Sequence, residues 1–178
     1  MPSIDSKLKK YNTKIISLRL ATEKDAKEVY EMTQDKSYKY YLDRLIPQSE
    51  EAARKMIIKF TKEAEKGNVY YFAVEYKGEF AGIADVFRTH SIDKRAAIGY
   101  GLKKEFMRKG IATKALRILL KFIKHDLKMH TCEGDCDPRN IGSKRVMEKN
   151  GFARVGVMKD YYFSHGKYSD RLLYWKVL

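Results

Sequence analysis

The chain has 178 residues, of which 44% are hydrophobic, 34% charged and 12% aromatic, and this content excludes an intrinsically disordered chain and suits one domain over residues 1–178. The formal net charge of +14 indicates attraction to anions, but lysine and arginine occur beside acidic residues in nearly every segment, so charge alone does not identify a partner. Two cysteines form no disulfide framework, and the polar start and the lack of an apolar run of ~20 residues predict a cytoplasmic protein with no membrane partner.

In the first half of the chain, periodicity and caps predict a strand, two helices and a hairpin. Thr22 and Asp25 resemble a capping box with Asp in place of Glu, and Ser49 is placed to cap the second helix. The apolar residues of that second helix recur at helical spacing, whereas the hairpin strands are runs of aromatic and β-branched residues around a turn. These elements cover residues 15–20, 22–32, 49–66, 70–75 and 80–87.

The second half predicts the pattern strand, helix, strand, helix, strand, strand. Its long helix has the clearest apolar stripe in the chain, and Asn150-Gly151 is a good end for the shorter helix. These elements cover residues 95–102, 111–127, 129–136, 140–149, 153–162 and 171–178, with a turn at residues 165–167. We therefore predict a mixed α/β fold, with a mostly antiparallel twisted sheet of about seven strands flanked by about four helices.

A basic loop joins the strand at residues 95–102 to the long helix. The free N–H groups and the positive dipole end of a helix N-terminus form an anion site, and Arg108 and Lys109 add charge that matches a pyrophosphate. Small residues at Gly110 and Ala112 allow phosphates to approach the backbone closely. Taken alone, the stretch also fits an ordinary strand-to-helix connection with a solvated basic loop, and it carries neither the Walker pattern nor the dinucleotide pattern.

Residues 107–112 resemble the Arg/Gln-x-x-Gly-x-Gly/Ala signature of the GNAT superfamily of N-acetyltransferases, with Met107 at the first position. The resemblance implies that this loop binds the pyrophosphate of the cosubstrate acetyl-CoA. It also implies that the preceding strand splays from its neighbour in a V and hydrogen-bonds the pantetheine arm and the acetyl carbonyl. The implied acetyl-CoA-binding residues are Tyr100, Gly101, Leu102, Met107, Arg108, Lys109, Gly110, Ile111, Ala112, Thr113, Asn140 and Ser143.

A second block, residues 140–152, resembles the Asn-x-x-Ser … Glu-Lys-x-Gly-Phe pattern of the same superfamily. Asn140 is suited to cap the helix while its amide holds the cofactor arm, and Ser143 then lies one turn in, near the thioester sulfur. A plain cap for Asn140 and a filler at a tight helix contact for Ser143 are the alternatives when the block is taken alone.

The tail, residues 166–174, resembles the Gly-x-Tyr-x-Asp close of one branch, which holds the ribosomal-protein N-terminal acetyltransferases, and Ile98-Gly99-Tyr100 is typical of that branch. The resemblance runs from about residue 16 to residue 177. It implies an enzyme that transfers acetyl to a primary amine by direct attack in a ternary complex, with a protein N-terminal α-amine as acceptor.

Acetyl transfer needs a neutral amine and a proton donor for the departing thiolate. The resemblance assigns the donor role to Ser143, because the tyrosine that serves as acid in many GNAT enzymes would fall at Met147. Glutamates that family members use as base would fall at Ala97 and Tyr162, so the resemblance supplies no base.

Two carboxylates are candidates for that base, Asp85 first and Asp160 second, with water-relayed deprotonation as a further route. Asp85 lies in an otherwise apolar strand, where burial raises a carboxyl pKa, but an alternating strand that turns Asp85 to solvent fits the sequence equally well. Tyr38, Tyr40 and Tyr41 are candidates to line the amine pocket, although such clusters more often serve packing.

Several functional alternatives stay open on the sequence. A small amine such as a polyamine or an aminoglycoside is the alternative acceptor, which a basic surface disfavours unless the pocket is locally acidic. The missing glutamates also allow a non-catalytic acetyl-CoA sensor, and nucleic acid is expected only as a weak electrostatic contact. No metal is expected, because Cys132 and Cys136 on one strand lie ~13 Å apart. The chain is expected to be a monomer or a homodimer.

Overall fold

The computed structural model describes residues 3–42, 46–164 and 166–178. Six α-helices and seven strands follow one another in these ranges, with short 3₁₀ turns at Glu23–Asp25 and Lys104–Phe106. The first half contains α1 (Ile4–Lys9), β1 (Ile16–Leu20), α2 (Ala26–Gln34), α3 (Lys36–Leu42), α4 (Glu50–Glu65), β2 (Tyr70–Tyr76) and β3 (Glu79–His90). The second half contains β4 (Arg95–Leu102), α5 (Ile111–His125), β5 (Thr131–Cys136), α6 (Ile141–Lys149), β6 (Ala153–Ser164) and β7 (Lys167–Val177).

The mixed α/β class, the number of strands and their mostly antiparallel pairing are confirmed. The number of helices is larger than the predicted four, because α1 and α3 carry no clear apolar period and are only six and seven residues long. Ser49 caps α4 as predicted, with its hydroxyl accepting the Ala52 N–H at 3.0 Å. His165, which belongs to the predicted turn, lies outside the described residues.

The strands form a single sheet in the order β1-β2-β3-β4-β5-β7-β6. Every neighbouring pair is antiparallel except β4 and β5, which run parallel because the chain crosses over through α5 between them. Their pairing joins Arg95 to Thr131, Ala96 to Cys132 and Ala97 to Glu133, and no described residue continues the ladder beyond these positions. We call the resulting gap, between residues 98–102 of β4 and 134–136 of β5, the split.

The two faces of the sheet are packed differently. The face that we call the α5 face is covered by α1, α5 and α6, and its core includes the fully buried Phe72, Leu119 and Phe122. Phe122 meets both Tyr70 and Phe72 edge to face, with ring centroids 5.7 Å apart in each pair. The other face, which we call the α4 face, is covered by α2 and α4 in a smaller core.

The ranges that the structure describes contain no helix with both the length and the apolar character needed to span a bilayer.

Candidate active site at the split

The loop before α5 presents backbone instead of side chains. Gly110 occupies the N-cap with φ +74° and no capping side chain, so the first N–H groups of α5 have no intrahelical acceptor. A Cβ on Gly110 would meet no heavy atom within 4 Å, so the space above this turn is open. Arg108 and Lys109 are exposed beside it, whereas Ile111 is buried and anchors the turn in the core. This geometry suits an anion.

The β4 residues of the predicted site line the split with their backbone. Tyr100, Gly101 and Leu102 lie where β4 has β3 on one side and no strand on the other. Their polar backbone groups on the open side therefore need another partner. The side chain of Leu102 is buried in the core, so this residue offers the site only its backbone.

A hydrogen-bonded group of three side chains stands on the α5 face of the split. The Asn140 amide oxygen accepts the Ser143 N–H at 2.9 Å and so caps α6. The Tyr100 hydroxyl lies 3.1 Å from the Ser143 carbonyl oxygen and 2.9 Å from the Ser143 hydroxyl. When the phenol donates its single proton to the carbonyl, the Ser143 hydroxyl is the donor to the phenol oxygen. Burial raises the pKa of Tyr100, which keeps the phenol neutral.

The link between Tyr100 and Ser143 is a feature that the sequence analysis missed. The motifs assigned Tyr100 only a backbone role, because nothing local in the sequence shows that its hydroxyl reaches a helix 43 residues later in the chain.

Asp85 stands on the opposite, α4 face of the sheet, beside the residue of β4 that it pairs with, Gly99. A Cβ at position 99 would collide with a carboxylate oxygen of Asp85, so any other residue there would force the carboxylate to move. Burial raises the pKa of Asp85 to about 7, and no described residue gives it a hydrogen bond or an ion pair.

Two tyrosines border Asp85. Tyr71 is its register partner on β2, and the ring of Tyr38 lies over Gly101, where a Cβ would come within 2.7 Å of the ring. Burial, with a smaller effect of the Asp85 charge, raises the pKa of Tyr38. Tyr40 of the same helix lies 4.7 Å from the guanidinium of Arg139 in the loop after β5. Helix α3 therefore contacts both sides of the split. The side chain of Tyr41, the third tyrosine of the predicted amine pocket, lies outside the described residues.

The second candidate base is not brought to this place. Asp160 is exposed in an irregular part of the edge strand β6, with φ +48°, and its N–H donates to the carboxylate of Asp170 at 3.1 Å. Three strands lie between β6 and β3 in the order of the sheet, although Tyr161 of β6 reaches Arg88 of β3 at 3.4 Å. The structure thus separates the two carboxylates that the sequence left as alternatives.

Cys132 and Cys136 are free and buried, and burial raises the thiol pKa to about 12 and about 11 respectively. Within the part of the chain that the structure describes, no group of three or more His, Cys, Asp or Glu residues is placed to hold a metal ion.

Comparison with known proteins gives a family match and similar chains. The family model described as "Acetyltransferase (GNAT) domain" matches residues 16–153. The chain is 33% identical over 123 residues to the probable N-acetyltransferase YjcK of Bacillus subtilis, covering 67% of this chain and 68% of that protein. It is 28% identical over 131 residues to the ribosomal-protein-serine acetyltransferase of Escherichia coli, covering 74% and 73%.

Solved structures share the fold. The structure of RimL, a ribosomal L7/L12 alpha-N-protein acetyltransferase in complex with coenzyme A, superposes with a TM-score of 0.86 at 24% identity, over 93% of this chain and 96% of that one.

The contact between Gly99 and Asp85 is open to a direct test. Gly99→Ala places a methyl group against the carboxylate and is expected to lower the free energy of unfolding by about 1–3 kcal/mol, the usual cost of overpacking. In an Asp85→Ala background the same substitution is expected to cost much less. Urea unfolding measures both, with Gly156→Ala, where no atom lies within 4 Å, as the control. Equal losses in the two backgrounds would show that the two residues do not compete for this space.

Proposed function

We propose that this chain, which belongs to the GNAT acetyltransferase family and is an acetyl-CoA-dependent N-acetyltransferase, acetylates a protein N-terminal α-amine. The amine would attack the acetyl group directly in a ternary complex. The relative from Escherichia coli supports this acceptor, since its name describes an enzyme that acetylates a serine of a ribosomal protein. The observation that carries the proposal is the split, with an anion-binding turn at one end and an unpartnered carboxylate across its edge.

Residues along the split are placed to hold acetyl-CoA in an extended form. The N–H groups at the start of α5, with Arg108 and Lys109, would bind its pyrophosphate. The open backbone edge of β4 would hydrogen-bond the pantetheine arm in the manner of a missing strand, and an N–H of that edge would polarise the acetyl carbonyl. When bound, acetyl-CoA supplies the activated acyl group.

Acceptor and leaving group would use opposite faces of the sheet. Asp85 on the α4 face would take the proton of the attacking amine, because its pKa of about 7 makes it a base at neutral pH. Ser143 on the α5 face would donate a hydrogen bond to the departing thiolate and pass it a proton that solvent water replaces. The Tyr100 phenol would in this state donate to the Ser143 oxygen, which leaves the serine proton free for the sulfur. The split is the opening in the sheet that connects Asp85 on one face with Ser143 on the other.

The anion-binding turn is tested by filling it. Gly110→Glu is expected to weaken acetyl-CoA binding by at least about tenfold, because it adds bulk and negative charge where phosphates would lie. Gly110→Ala is the matched control for backbone strain at φ +74°, and its affinity should change far less. Calorimetric titration measures both, and unchanged affinity in the Glu variant would place the pyrophosphate elsewhere.

Ser143→Ala is expected to lower kcat about 10²-fold or more, the usual contribution of a positioned proton donor, with little change in acetyl-CoA affinity. Steady-state kinetics with an alanine-initiated peptide, beside calorimetry, separates the two effects. Tyr100→Phe should give a smaller loss, since it removes only the group that orients the serine. A Ser143→Ala enzyme with normal kcat would exclude the proposed donor.

The role of Asp85 predicts a pH dependence. In the unmodified enzyme kcat, which reports ionisations in the bound complex, should rise with pH to a plateau through an apparent pKa near 7, and Asp85→Asn should remove that limb and most of the activity.

The free energy of unfolding should fall as pH rises, whereas the activity should increase. Because the folded-state pKa of Asp85 is raised, the protonated form stabilises the fold at low pH, and this contribution is lost as pH rises through about 7. Asp85→Asn is therefore expected to resist urea better than the unmodified protein at pH 8, with no such advantage at pH 4. A variant that binds acetyl-CoA normally, keeps its activity and keeps the same pH profile would exclude Asp85 as the base.

A further inference from the structure

A cavity of about 110 Å³ lies at the vertex of the split, where β4 and β5 cease to pair. Ala97 and Glu133 are the last paired residues, and both line it. Alternation along β3 and β4 places Phe87 and Ala97 on the same face as Asp85 and Gly99. The cavity therefore opens on the α4 face, the side from which the acceptor would approach.

Glu133 is an incompletely satisfied carboxylate in this cavity. Its side chain is 23% exposed, and no residue that the structure describes donates a hydrogen bond to it. The nearest positive charge is the guanidinium of Arg88, with 3.6 Å between nitrogen and oxygen, and that arginine side chain is 56% exposed. A carboxylate that is mostly removed from water but poorly paired favours a cationic ligand.

The neighbouring acidic residue differs. Asp135 accepts a hydrogen bond of 2.6 Å from Arg171, whose side chain is 7% exposed, so this pair is internally complete. Arg88, by contrast, lies at an irregularity between β3 and β4 and contacts Glu133 through a long, exposed ion pair of the kind that contributes little to stability. Arg88 also donates a hydrogen bond of 3.4 Å to the Tyr161 hydroxyl and lies 5.6 Å from the Phe87 ring centroid, and it can keep these contacts when a ligand cation replaces it at Glu133, whereas Arg171 stays in place.

The remaining lining is apolar and suits an aliphatic chain. Phe87, Met158 and Leu173 supply side chains along the walls, and Ile98 borders the cavity from β4. A charged group at the end of a hydrocarbon stem, as in lysine or a diamine, matches apolar walls with a carboxylate at one side.

The position relative to Asp85 shows which charge would bind there. Glu133 and Asp85 lie on strands that flank β4 and are offset by two residues, so their α-carbons are about 12 Å apart by sheet geometry. That separation places Glu133 beyond the attacking nitrogen and within reach of a second cation one or two residues away.

We propose that this cavity is a subsite for an alkylammonium group of the acceptor, the side chain of a lysine at the second or third position of the acceptor peptide. Glu133 is its charge partner, and Arg88 is the ion that gives way. The lysine assignment rests on the proposed peptide acceptor, whereas the same chemistry in a free polyamine would fit the same cavity.

The test compares peptides that start with alanine and carry lysine, norleucine or glutamate at the second position or at the third. Norleucine keeps the hydrocarbon stem without the charge. The unmodified enzyme is expected to favour lysine over norleucine by about tenfold in kcat/KM, and glutamate should be the poorest. Glu133→Gln should abolish this preference mainly through the acceptor KM, while acetyl-CoA affinity, measured by calorimetry, stays normal and reports an intact fold.

Two further variants make the test specific. Glu65→Gln removes the same charge from an exposed position on α4 and should leave the peptide preference unchanged. Arg88→Gln should strengthen the preference for lysine, and its effect should be smaller when Glu133→Gln is also present, since only the direct repulsion between Arg88 and the lysine then remains.

The outcomes separate the subsite from the acceptor class. An unchanged ratio of lysine to norleucine in Glu133→Gln would overturn the subsite while leaving the peptide acceptor in place. Acetylation of spermidine instead of the peptides, with a raised spermidine KM in Glu133→Gln, would overturn the peptide acceptor but support the subsite. Acetylation of none of these amines, or of spermidine without dependence on Glu133, would overturn both.

Discussion

The parting of β4 from β5 is the constraint on which the rest of the site depends. Each strand is held on its outer side, β4 by β3 and β5 by β7, so the two can separate without losing their places in the sheet. The first residue past the last pair is Gly134, where a Cβ would lie 3.1 Å from the Met147 sulfur of α6 and 3.5 Å from a carbon of Ile98. These two side chains occupy the vertex of the split on the α5 face. Beyond them the backbone of β4 has polar groups with no strand to satisfy them, and a ligand with an extended polar arm is the natural partner.

The split also divides the chemistry between two faces of one strand. Because side chains alternate along β4, Tyr100 meets Ser143 on the α5 face while Gly99 and Gly101 leave the α4 face bare. Asp85 and Tyr38 occupy the space that the two glycines leave. The proposed base and the proposed proton donor thus lie on opposite faces of one strand. The cost is an unpartnered, largely desolvated carboxylate, a type of strain that enzymes commonly hold at their active sites.

The net charge of the molecule is positive, whereas the α4 face of the split, where the acceptor would bind, carries carboxylates. The net charge of +14 suits the polyanionic cosubstrate, and its local expression is the pair Arg108 and Lys109 beside the start of α5. On the α4 face the unpaired or weakly paired groups are carboxylates, Asp85 and Glu133. A basic protein surface disfavours a cationic acceptor unless the acceptor pocket itself is acidic, and these two carboxylates make this side of the split locally acidic. Strand β4 has no carboxylate at Ala97. The residue that pairs with Ala97 on the neighbouring strand β5 is Glu133, so a carboxylate lies beside this position.

The sequence by itself determined the strands, the long helix, the glycine turn before α5 and the cap at Asn140, because periodicity, caps and glycine positions are signals carried by residues close together in the chain. It left α1 and α3 unpredicted, since six or seven residues without an apolar period give no such signal. It also left Asp85 and Asp160 as alternatives. Only the tertiary structure shows how the two differ in place, because Asp85 lies beside β4 at the split whereas Asp160 is exposed on the edge strand β6. The contact of Tyr100 with Ser143, the place of Asp85 against Gly99 and the pairing of Ala97 with Glu133 were decided in the same way: each depends on register and packing between segments distant in sequence, and a slip of one residue in register would turn these side chains to the other face.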